Sequence, residues 1–87
     1  GRSDAANSGL GQVAFQQRNY SAAVEFHARS SRLAPGKASH RVNLGLSYFK
    51  LKKYAEAKAT WAKALELAPG NAKAKKYMKI VEKKLAK

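Results

Sequence analysis

A shift of 34 residues lays this chain on itself. Between residues 4–37 and 38–71 it pairs Leu10 with Leu44, Gly11 with Gly45, Phe15 with Phe49, Tyr20 with Tyr54, Ala23 with Ala57 and Ala28 with Ala62. It also pairs Leu33-Ala34-Pro35-Gly36 with Leu67-Ala68-Pro69-Gly70. The shared positions are apolar residues, glycines and prolines, the types that packing and chain reversal require, so the chain is a repeat of one supersecondary unit.

Each unit reads as a pair of helices. Pro35 and Pro69 follow Leu-Ala and precede Gly, an arrangement that stops one helix and turns the chain toward the next. Helices are expected at about 4–17, 20–33, 38–51, 54–67 and 72–86. Gly11 and Gly45 fall inside helices, where glycine costs roughly 1 kcal/mol relative to Ala. Close approach of a partner helix compensates, and Trp61, with Ala57 and Ala64, fits that approach in the second unit. Tyr54 is placed to plug the wedge between paired helices.

The last helix reads as a cap. It opens after Asn71, a good N-cap, and Ala74, Tyr77, Met78, Val81 and Leu85 follow helical spacing along one face. The opposite face is lysine, and Lys79 stands where a third unit would need glycine. A repeat cannot bury its apolar face alone, so a polar-backed terminal helix covers the last one. The lysine run reads either as solvation of that cap or as a binding surface.

The repeat resembles the tetratricopeptide repeat family, in which Trp-x2-Leu-Gly-x2-Tyr is followed by Ala-x3-Phe and then Pro. Leu44, Gly45, Tyr48, Ala57, Ala64 and Pro69 match it in the second unit, with Trp61 for the usual Phe or Tyr and Arg41 for the first Trp. The first unit keeps Leu10, Gly11, Ala23 and Pro35, while Ala14, His27 and Ser30 replace Tyr, an aromatic residue and Ala. The resemblance implies an all-α solenoid of antiparallel helix pairs: one domain over 4–87, made of repeats 4–37 and 38–71 and a capping helix 72–87. Residues 1–3 read as a remnant of cloning.

Composition excludes several functions. Eighty-seven residues with 45% apolar content suit a single small core. The absence of cysteine removes disulfides, zinc-thiolate sites and thiol catalysis, and leaves the compartment open. No run approaches the length of a membrane span. Asp4, Glu25, Glu56, Glu66 and Glu82 are dispersed, with no acid or histidine at a spacing that forms a catalytic pair. His27 aligns with Trp61 and reads as a packing residue. No catalytic residue, metal ligand or cofactor is therefore expected.

The net charge of +13 grows along the chain: about +2 over residues 1–36, +5 over 37–70 and +6 over 71–87. Such a field steers acidic partners at a rate that falls with ionic strength. The family resemblance implies that the first helix of each pair lines a concave groove where a peptide lies. That groove would hold Ser8, Gln12, Phe15 and Gln16, then Ser39, Asn43, Leu46, Phe49 and Lys50, then Lys73, Lys76, Tyr77, Ile80 and Lys84. Phe15 and Phe49 read either as partly buried between helices or as anchors for a ligand side chain.

One subclass of the family clamps a terminal carboxylate with two Lys, two Asn and one Arg. Only Asn43 and Lys73 match it, with Ser8, Gln12 and Tyr77 at the other places. The resemblance thus implies a looser recognition of an acidic or amphipathic peptide by a non-catalytic protein-interaction module. Two alternatives are a basic surface for nucleic acid or another polyanion, and self-association within a longer array, for which Ala6 and Val13 of the first helix would face a missing neighbour.

Overall fold

The structure is a computed structural model that describes residues 3–86. It contains α1 (Asp4–Gln16), α2 (Tyr20–Leu33), α3 (Ala38–Lys50), α4 (Tyr54–Leu67) and α5 (Ala72–Leu85), and no strand among the described residues. All five helices fall where the repeat places them, within one residue. Contacts run almost entirely between helices consecutive in the chain.

Three of the five helix starts, those of α1, α2 and α5, are capped by short polar side chains. Ser3, Asn19 and Asn71 accept from the backbone N–H groups of Ala6, Ala22 and Ala74 at 3.2, 3.3 and 3.0 Å. Ser3 thus caps α1; Gly1 and Arg2, which share the expected cloning remnant with it, lie outside the described residues. α1 and α3 each end one residue earlier than expected, because the chain closes there in the same way twice. Asn19 N donates to Ala14 O and Arg18 N to Phe15 O, while Lys53 N donates to Tyr48 O and Lys52 N to Phe49 O. This six-to-one, five-to-two pattern needs a left-handed residue, and Arg18 and Lys52 both have φ 63°. A Cβ is unfavourable in that region. Arg18→Gly and Lys52→Gly are each expected to raise stability by about 0.5–1 kcal/mol, read as a higher urea midpoint; a loss of stability would contradict the assignment of strain.

Glycine and aromatic ring meet within each helix pair. A Cβ on Gly45 would overlap the Trp61 indole, and one on Gly11 would lie 2.7 Å from His27 Cε1. Trp61 is 1% exposed and donates its Nε1–H to Val42 O at 3.0 Å. Around it pack Ala57 and Val81, with Leu46, Tyr48, Phe49, Tyr54, Tyr77 and Met78 at the margin. A second cluster of Val42, Ala64 and Ala74 continues the core.

α5 seats Ala74 and Val81 fully, with Tyr77 and Met78 half-buried. Leu85 does not join them: it lies a turn beyond Val81 at the helix end and is 44% exposed. At the other end of the stack, Leu10 and Val13 are 45% and 50% exposed, although their repeat partners Leu44 and Ser47 are 8% and 0% exposed. α2 packs on α3, and α1 has no counterpart to α2 on that side among the described residues.

Candidate binding groove

α1, α3 and α5 carry the predicted groove residues, and the structure gathers half of them, seven of fourteen, around two adjoining cavities. Gln12, Phe15, Gln16, Asn43 and Leu46 line a cavity of about 200 Å³ whose floor includes His27. A wider one, of about 520 Å³, is lined by Gln12, Ser39, Val42, Asn43, Asn71, Ala72 and Lys73. Gln12 and Asn43 belong to both, so the two spaces share a wall. Lys50, Lys76, Ile80 and Lys84 are exposed and line neither.

The two phenylalanines differ despite their equivalence. Phe49 packs against Tyr54 and Trp61, with ring centroids 5.2 and 5.9 Å apart, and is taken up by the core margin. Phe15 meets Tyr20 edge-on at 5.1 Å and keeps a face on the smaller cavity. Tyr77 is half-buried, its ring 5.3 Å from that of Trp61 at 30°.

Charge along the groove is unopposed. Among the described residues the ion pairs are Lys37–Asp4, His40–Asp4 and Lys63–Glu66, so none of the six α5 lysines is paired. Lys73, Lys76 and Lys84 leave their ammonium groups free for a ligand.

Sequence spacing does not reveal one polar cluster. Asp4, in the first turn of α1, accepts from Lys37 Nζ at 3.0 Å and His40 Nε2 at 2.9 Å, across more than thirty residues of chain. Those two hydrogen bonds, His40 foremost, hold the Asp4 carboxyl down from 3.8 to about 2. An acid and a histidine are therefore paired, contrary to the expectation from spacing. His40 is 5% exposed, so the pair ties α1 to α3 rather than facing a substrate. Ser30 adds a tie from α2, its hydroxyl donating to Asp4 O at 2.9 Å. No group of three or more His, Asp or Glu among the described residues could hold a metal ion, and no helix there is long and apolar enough to cross a membrane.

His27 is the lining residue that spacing assigns only to packing. It is 2% exposed beside Gly11, its Nδ1 buried without a partner. Burial, and secondarily the neighbouring His40, push it down from 6.5 to about 4, which keeps it neutral at physiological pH.

Comparison with known proteins completes the assignment of the fold. A family model described as the tetratricopeptide repeat matches residues 42–71. These residues are a tetratricopeptide repeat. No curated protein matches the chain. Among solved structures, the tetratricopeptide repeat domain of Arabidopsis OM64 superposes with a TM-score of 0.94 at 19% identity, covering 99% of this chain and 73% of that one. The first tetratricopeptide repeat region of Spaghetti (RPAP3), bound to the HSP90 peptide SRMEEVD, gives 0.94 at 21% identity, covering 99% and 68%. Five helices without strands, in two stacked pairs and a cap, are the tetratricopeptide repeat solenoid expected from the sequence. That fold typically mediates protein–protein interaction.

Proposed function

We propose that the groove binds a peptide segment combining acidic with apolar residues, without catalysing a reaction on it. The observation that carries this reading is the shared wall: an uncharged, largely apolar cavity adjoins a wider one that ends on the unpaired Lys73. Apolar area entering the first would supply affinity at about 25 cal/mol per Å². Lys73, Lys76, Lys84 and Lys50 would speed encounter and select against basic segments. The peptide SRMEEVD, held by a protein of the same fold, has this mixed character and serves as a probe.

Lys73→Glu is expected to weaken SRMEEVD binding about tenfold at low salt and much less at high salt, since rim charges are screened over about 8 Å at physiological ionic strength. Phe15→Ala should weaken it with an unchanged salt slope. Fluorescence-polarisation titrations of both variants at two salt concentrations check this, and identical salt behaviour would sink the division of labour. Phe49 is unsuitable for that test because its loss would disturb the core around Trp61.

A second reading rests on the six unpaired α5 lysines, a surface suited to a nucleic acid backbone or another polyanion. A labelled oligonucleotide that binds with a steep salt slope, where SRMEEVD does not bind, would favour it.

A further inference from the structure

The chain contains two versions of the same inter-repeat space, and one of them shows what the other is shaped to take. A shift of 34 residues carries the lining of the smaller cavity, Gln12, Phe15, Gln16, His27, Asn43 and Leu46, onto Leu46, Phe49, Lys50, Trp61, Tyr77 and Ile80. In the second space the Tyr77 ring lies 5.3 Å from Trp61 at an interplanar angle of 30°, with Phe49 completing the group. The protein fills its own second space with a phenol ring. In the first, Asn43 replaces that tyrosine and His27 replaces the tryptophan, and about 200 Å³ stands open.

We propose that this open space is a seat for a tyrosine side chain of the bound partner, entering between the repeats at the place that Tyr77 takes in the second space. The inference rests on the groove reading only in that a peptide supplies the ring. The volume is below the range of drug-sized pockets and suits one side chain. Phe15 and Leu46 give apolar walls, and Phe15 offers the aromatic surface, while the buried His27 borders the floor. Around the mouth, Gln12, Gln16 and Asn43 offer amide donors and acceptors, which can satisfy a phenolic hydroxyl. No formal charge lines the cavity, so an ammonium or carboxylate would enter it uncompensated. An uncharged ring with a polar tip meets every wall.

The test is a titration of the ¹⁵N-labelled protein with N-acetyl-tyrosinamide, N-acetyl-leucinamide and, separately, SRMEEVD. The seat predicts saturable shifts of the Gln12, Gln16 and Asn43 side-chain amides with the tyrosine compound, at least about threefold tighter than with the leucine compound, given the modest strength of one ring pair. In Asn43→Tyr the chain's own ring should occupy the seat, raising the thermal midpoint and abolishing those shifts. Leucine binding as well as tyrosine, or neither shifting these amides, overturns the seat whatever Asn43→Tyr does. SRMEEVD binding in that case leaves the groove reading standing. Tyrosine binding without SRMEEVD upholds the seat and removes the acidic preference.

Discussion

Trp61→Ala is expected to cost roughly 3–5 kcal/mol of stability, the largest effect of any single truncation in this chain. Trp61 is the largest fully buried side chain, and it joins three helices at once. Its indole edge lies against Gly45 of α3, its Nε1–H bonds to Val42 O, and its ring faces Phe49 and Tyr77, the latter from α5. Deleting it opens a cavity that the helices cannot collapse to fill, because Gly45 has no side chain to offer. Small domains have only about 5–15 kcal/mol in total, so the variant should be partly unfolded near room temperature. Trp61 is the one tryptophan, so urea unfolding must be followed by circular dichroism rather than fluorescence. Trp61→Phe should retain much of the loss; a cost below 1 kcal/mol for Trp61→Ala, by the same cavity argument, would show that the indole is not the joint.

Acid should destabilise the protein earlier than its carboxylates require. His27 titrates at 6.5 when unfolded and at about 4 in the fold, so in that window the unfolded chain takes up a proton the native state refuses. The stabilisation is fully present above pH 6.5 and is lost as pH falls toward about 4, a change of roughly 3 kcal/mol from the size of the shift. Asp4 acts lower down: its contribution persists above 3.8 and disappears through about 2. The two effects therefore separate on the pH axis. His27→Phe, at a position where the second repeat accommodates a larger indole, should remove the dependence between pH 6.5 and 4.5 while leaving that below 3.8. Urea midpoints at pH 7, 4.5 and 3 check both parts. An unchanged slope in His27→Phe would mean that another group drives it.

Helix positions, the glycine–aromatic contacts and the Asn71 cap are legible in the sequence because each depends on residues a few turns apart or on the repeat. Gly45 predicts its aromatic neighbour, and Trp61 supplies it. The Asp4–His40–Lys37 tie is not legible, since α1 and α3 meet only after α2 has folded between them, and no local spacing records it. Leu85 follows the apolar period of α5 yet stays exposed, as periodicity marks a face and not the length of its seat. The repeat supplies a row of candidate groove residues. The cavities beside half of that row are not legible, because they follow from a size difference: His27 and Asn43 take up less space than Trp61 and Tyr77, and so Phe15 borders open volume while Phe49 is packed.

That each helix rests mainly on its neighbours in sequence has a kinetic consequence. Few residues must find partners far along the chain, so little loop-closure entropy stands between the unfolded ensemble and the first stable helix pair. Folding should start at whichever pair holds together best, the α3–α4 hairpin with its indole clasp, and spread outward like a zipper in both directions. Speed and susceptibility then have one origin, since a chain assembled link by link also opens link by link from its ends.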